Sequence, residues 1–196
     1  MRSDLASLVR QRHGHFELES GHHGDLWLDL EALCSNPKAV RPLAAELAKR
    51  LRPYRAEVIC GPLVEGAFVG LMVADELGLE LVYAAPEASS NPSALFPVSY
   101  RIPAALRLLE GRRVAIVNDV INAGSAVRGS LDNLAACGAY AVVIGTLLSL
   151  GSRPSELAKE YSVPLESLDT EANLVWTPSE CPLCAAGNPV TRFPGR

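Results

Sequence analysis

Between residues 56 and 150, short apolar runs alternate with stretches whose apolar positions recur every three to four residues. The apolar runs are AEVIC (56–60), LELVYA (79–84), RRVAIVN (112–118) and AYAVVIGTLLSL (139–150). Between and after them, AFVGLMVADEL, GSAVRGSLDNLAACG and SRPSELAKEY have helical period. A further strand is expected near VPLESL (163–168). Runs this apolar are buried on both faces, which requires a parallel sheet covered by helices. The pattern therefore predicts an α/β fold, with a parallel sheet flanked by helices and ligands gathered at the carboxyl ends of the strands.

The flanks read differently. Residues 3–12 predict a short helix with Leu5, Leu8 and Val9 on one face. Residues 15–30 alternate apolar and polar positions on either side of Ser20-Gly21 and predict a hairpin. Pro37 suits the first turn of a helix running to about Leu51. Residues 85–99 are rich in Ala, Ser and Pro without clear period and predict a mobile loop. One domain over residues 1–196 follows, with a core of about 37–170 and a cap, or hood, of about 13–36 and 171–196.

Composition narrows the function classes. The chain has 196 residues, is 48% hydrophobic and carries a net charge of −4. An acidic chain of this size is a poor nucleic-acid binder. No apolar run approaches the roughly 18 residues of a membrane span, and the charged N-terminal stretch lacks a signal-peptide core. A cytoplasmic protein with no membrane or nucleic-acid partner is expected. Lysine is scarce: Lys38, Lys49 and Lys159 stand against fifteen arginines.

The chemistry concentrates in VAIVNDVINAGSAVRGS, residues 114–130. The strand ends at Asn118-Asp119, a loop follows from Val120 to Ser125, and a helix begins at about Ser125. Gly124 permits the tight turn, and the free N–H groups of a helix start favour a phosphate. Asp119 suits sugar hydroxyls or a hydrated metal ion. The stretch asks for a ligand with both phosphate and ribose, although Asx and glycine residues are also common in an ordinary strand-turn-helix.

These residues resemble the phosphoribosyl-pyrophosphate (PRPP) signature of type I phosphoribosyltransferases. The resemblance implies that the loop Asn122, Ala123, Gly124, Ser125 and Ala126 cradles the 5′-phosphate, with Val120 and Ile121 also among the PRPP-binding residues. It also implies that Asn118 and Asp119 face the ribose. Further matches favour the orotate phosphoribosyltransferase branch. GHFELESGHHGDLWLD (14–29) resembles its base-capping segment, with Ser20, Gly21 and His23 at the base. ICGPLVEGAFVGLMVADELG (59–78) resembles its pyrophosphate loop, with Gly61, Pro62, Glu65 and Gly66 as binding residues. ECPLCAAGNPV (180–190) resembles a Cys-Pro-Leu-Cys tail found in some of these enzymes. The family implies transfer of phosphoribose from PRPP to a pyrimidine base, orotate in this branch, with release of pyrophosphate, Mg2+ as cofactor and a homodimer as the assembly.

Three positions depart from the family pattern. Asn118 stands where the first of two acids is usual, and its amide hydrogen-bonds but carries no charge. Residues 84–111 contain no lysine where a lysine-rich catalytic loop is usual, leaving Arg101 as the candidate catalytic cation beside Asp119 and Asn118. Ser149 and Leu150 stand where an Asp-Arg pair holds orotate, with Arg153 as the possible substitute. An enzyme acting on another base, and a non-catalytic PRPP or nucleotide sensor, are the rival readings.

The remaining candidates are bland. His22-His23 alone makes no metal site, because no third ligand stands at ligand spacing. Cys181 and Cys184 are half a zinc site, a redox pair or a structural turn with reduced thiols, the last being expected. No residue is assigned as a direct metal ligand, Asp119 acting through water at most. Trp27 and Trp176 are expected to pack the cap.

Overall fold

A computed structural model describes residues 9–18, 21–30, 33–88, 98–106 and 108–192. Two sheets account for its strands. The larger has six strands in the order β5-β4-β3-β6-β7-β8. These are β3 (Val58–Pro62), β4 (Glu80–Ala88), β5 (Val98–Arg101), β6 (Arg113–Ile121), β7 (Tyr140–Leu150) and β8 (Leu165–Glu171). All pairings are parallel except β4 with β5. Four longer helices, α1 (Pro37–Leu51), α2 (Glu65–Leu77), α3 (Ser125–Ala136) and α4 (Arg153–Glu160), cover it.

Alternation along β6 explains the two-sided core. Ala115 and Val117 face one side, in a cluster with Val40, Ala44 and Leu47 of α1 and Val69 and Val73 of α2. Val114 and Ile116 face the other, with Val127, Leu131 and Leu134 of α3. Side chains two apart share a face of a strand, so one strand serves both layers. Full burial of a side chain such as Ile116 contributes about 1.5–3 kcal/mol.

The smaller sheet joins the N-terminal hairpin to the C-terminal segment. β1 (Arg10–Glu17) and β2 (His23–Asp29) form the hairpin, and β9 (Val175–Trp176) adds to β2. A short helix, α5 (Pro182–Ala185), follows. The tail returns to β1, where Thr191 N donates to His15 O at 2.7 Å and Glu17 N donates to Thr191 O at 3.1 Å.

Three sequence expectations need correction. Residues 10–12, expected in a helix, open strand β1, because their pairing with residues 27–29 outweighs local helical period; residues 3–8 lie outside the described residues. Residues 85–88 and 98–99, expected in a loop, lie in antiparallel strands, where residues 85–88 pair with 98–101; residues 89–97 lie outside the described residues. Strand β6 runs on to Ile121 rather than ending at Asn118-Asp119, because β7 continues beside it and pairs Val120 with Leu148 and Ile121 with Ser149. No described helix is long and apolar enough to cross a membrane.

Candidate active site

Strands β3 and β6 are neighbours, but the chain leaves them in opposite directions: β3 leads through α2 to β4, and β6 through α3 to β7. Their carboxyl ends therefore part into a crevice, the position at which open α/β sheets bind ligands. A cleft lies there. One wall is the β3–α2 turn, Pro62 to Gly66, and the other runs from Asn118 to Ala126. Leu26, Trp27, Leu28 and Leu30 come over it from the hairpin, and Leu150 closes it from the end of β7.

The second wall ends in a turn that glycine makes possible. Gly124 has φ 82° and caps α3, and an added Cβ would lie 2.8 Å from Leu157 Cδ2. Ser125 then starts α3, whose first N–H groups open towards the cleft. Asn122 is held from behind, its Oδ1 accepting from Asn173 Nδ2 at 2.8 Å.

Asn118 and Asp119 are both buried, at 9% and 5% exposure. Asn118 Nδ2 donates to Val120 O at 2.9 Å, which folds the amide along its own strand. Thr146, fully buried on β7, donates to Asp119 O at 3.0 Å and fixes that backbone. On the first wall, the β3–α2 turn contains a cis Leu63–Val64 peptide. Gly66 lies against Asn118, since a Cβ there would meet Asn118 Oδ1.

Of the residues expected at PRPP, Pro62, Glu65, Gly66 and every position from Asn118 to Ala126 line the cleft. Gly61 does not. An added Cβ at Gly61 would come within 2.6 Å of Ala67 Cα, so this glycine lets α2 pack closely on β3.

Neither expected cation, Arg101 nor Arg153, lines the cleft itself. Arg101 Nη1 sits 3.3 Å from Glu87 Oε1 and borders an adjoining depression with Arg128 and Asp132, which meets the main cleft at Tyr100 and Ser125. Arg153 pairs with Glu156 at 3.5 Å on the first turn of α4 and does not line the cleft. Gly21, at φ 75°, lies in the hairpin turn and does not line the cleft, and Ser20 lies outside the described residues. Among the described lining residues there is no lysine, arginine or histidine.

His23 is also displaced from its expected place. It is buried, and its Nδ1 lies 3.0 Å from His15 Nε2 and 3.2 Å from Cys184 Sγ. Burial, then the nearby His15, holds its pKa below the usual histidine range. Sequence reasoning missed His15, which sits in alternation on a stretch taken for the first hairpin arm and signals nothing by itself.

Comparison with known proteins agrees with this architecture. Residues 29–180 match the family model described as phosphoribosyl transferase domain. The chain belongs to that family. Among individual relatives, it is 27% identical over 179 residues to an orotate phosphoribosyltransferase of Caldanaerobacter subterraneus, covering 91% of this chain and 87% of the relative. It is 29% identical over 179 residues to the orotate phosphoribosyltransferase of Thermotoga maritima, covering 91% and 89%. The fold matches adenine phosphoribosyltransferase from Thermoanaerobacter pseudethanolicus with TM-score 0.68, 21% identity and coverage of 86% and 98%. It matches orotate phosphoribosyltransferase from Aeropyrum pernix with TM-score 0.62, 24% identity and coverage of 84% and 88%.

Proposed function

We propose that this chain is an orotate phosphoribosyltransferase-like enzyme, a pentosyltransferase that moves phosphoribose from PRPP to a ring nitrogen of a pyrimidine base and releases pyrophosphate. The observation that carries this reading is the cleft at the β3/β6 switch point. There a helix start with Ser125, a buried acid at Asp119 and a glycine-bounded turn meet within one crevice.

The cleft offers a separate place for each part of PRPP. Backbone N–H groups from Asn122 to Ala126 suit the 5′-phosphate. Asp119 and Asn118 stand beside it for the ribose hydroxyls. The Pro62–Gly66 turn, where Gly66 leaves room for close approach, takes the pyrophosphate. Mg2+ suits this donor set, since the carboxylates of Asp119 and Glu65 both line the cleft and magnesium favours one or two carboxylates together with phosphate oxygens. When bound, it offsets charge on the pyrophosphate. The chain's own contribution is positioning, together with exclusion of water beneath the leucines of the hairpin. Arg101 stands at the rim beyond Ser125 and supplies the cation for the departing pyrophosphate, acting within a homodimer in a cytoplasmic setting.

Leu150 and the apolar hairpin residues favour a second reading. A lining without a cation among the described residues suits a neutral base better than the orotate carboxylate. Pyrophosphate release from Mg2+-PRPP, measured with orotate and with uracil in parallel, tests both. Turnover with orotate supports the first reading, and turnover with uracil alone supports the second. Binding of PRPP without turnover on either base would leave a different base or a sensor.

A further inference from the structure

The strongest unassigned feature lies outside the cleft, where the C-terminal segment meets the N-terminal hairpin. Cys181 caps the start of α5 and Cys184 lies within it, His15 comes from β1 and His23 from β2. One ligand atom from each residue, two sulfurs and two imidazole nitrogens, lies within 4.8 Å of all the others. His15 Nε2 is 3.0 Å from His23 Nδ1, 3.4 Å from Cys181 Sγ and 3.7 Å from Cys184 Sγ. Cys184 Sγ is 3.2 Å from His23 Nδ1.

These separations have the scale of a coordination tetrahedron. With metal–nitrogen bonds of about 2.0–2.1 Å and metal–sulfur bonds of about 2.3 Å, ligand atoms stand roughly 3.3–3.8 Å apart. The proton arrangement also fits. His15 Nδ1 lies 3.0 Å from Asn188 O. A carbonyl only accepts, so Nδ1 carries the proton and Nε2 directs its lone pair into the cluster. This is the arrangement that orients metal-bound histidines.

We propose that His15, His23, Cys181 and Cys184 form a structural zinc site that fastens the C-terminal segment to the N-terminal hairpin. Two thiolates and two neutral imidazoles make a closed set with no open position, as structural zinc requires. Binding releases two thiol protons to solvent, and the two thiolate charges balance the dication, so the loaded site is neutral and tolerates burial. The soft sulfur donors disfavour magnesium and calcium. The site also bears on the cleft. β2 carries His23 at one end and Leu26, Trp27 and Leu28 further along, so fixing His23 helps hold the roof in place.

Metal content and cobalt spectroscopy of the full chain test this. Protein prepared in reductant, without chelator or histidine tag, is expected to carry one zinc per chain. Cobalt exchanged into wild type is expected to give intense tetrahedral d–d bands and a sulfur-to-cobalt charge-transfer band. Cys184→Ser is expected to weaken zinc binding by more than about 100-fold in chelator competition and to diminish the charge-transfer band. Cys137→Ser, altering a cysteine outside the cluster, is expected to change neither. Reduced, folded wild-type protein that takes up neither zinc nor cobalt would overturn the proposal. So would metal binding that Cys184→Ser leaves unaltered, or octahedral cobalt spectra without sulfur ligation. All three outcomes are read without assaying transferase activity.

Discussion

Gly66 and Asn118 sit face to face across the mouth of the cleft, so close that a methyl group on Gly66 would strike Asn118 Oδ1. The other end of that amide is tied to Val120 O at 2.9 Å. The glycine on the first wall and the amide on the second therefore fix the width of the crevice together.

Gly66→Ala is expected to turn the Asn118 side chain and break its bond to Val120. The cost is about 1–3 kcal/mol of stability, as for other overpacked sites, with a raised KM for PRPP. Because the collision is with one side chain, Gly66→Ala combined with Asn118→Ala is expected to cost less than the sum of the single changes. A double-mutant cycle read by urea denaturation checks this coupling.

Asn118→Asp restores the family's usual acid and is nonetheless expected to destabilise the protein. A carboxylate cannot donate to Val120 O, and it stands next to buried Asp119. The loss is expected to be about 1–3 kcal/mol. Burial and a like charge raise the folded-state pKa of the new group above its unfolded value. The proton is then held more tightly in the folded state, so the variant is least impaired at acid pH and loses stability as pH rises. Thermal melts from pH 5 to pH 8 beside wild type check the sign.

Gly124→Ala places a side chain at φ 82° and brings its Cβ to 2.8 Å from Leu157 Cδ2. The left-handed conformation alone costs roughly 1–2 kcal/mol, and the contact forces Leu157 to move. A lower melting temperature is expected together with weakened PRPP binding, since the same turn starts α3. Calorimetry and a thermal melt on one preparation separate the two effects.

The signature loop was legible in the sequence because its information is local. A glycine in the left-handed region, a serine at the helix start and an acid after an apolar run all fall within a few residues. The parallel sheet was legible for the same reason, its strands being almost uninterrupted in apolar residues. What failed depends on partners distant in sequence. Residues 10–12 became a strand by pairing with 27–29, and Val120 and Ile121 stayed in one because β7 lies beside them. The Cys181 and Cys184 motif was visible, but its partners at His15 and His23 lie about 160 residues away. No local pattern links them. Arg153 was chosen by position along the chain, whereas its side chain pairs with Glu156 on the first turn of α4.

Cys34 and Cys60 are expected to be inert thiols. Burial first, and for Cys34 the neighbouring Asp119 and Glu65 as well, pushes Cys34 up to about 11 and Cys60 up to about 12. With a pKa near 11, only about one thiol in a thousand is ionised at pH 8, and the thiolate is the reactive form. Maleimide labelling of the native protein at pH 8, followed by peptide mapping, is expected to leave both unmodified until denaturant is added.

The central claim is that the crevice between β3 and β6 binds PRPP. Isothermal titration of PRPP into the protein in the presence of Mg2+ tests it most directly, with Asp119→Asn and Gly124→Ala as companions. Saturable binding to wild type, weakened at least about tenfold (roughly 1.4 kcal/mol) in both variants, is the expected result. Absence of binding to folded wild type, or binding that both variants leave unchanged, would contradict it.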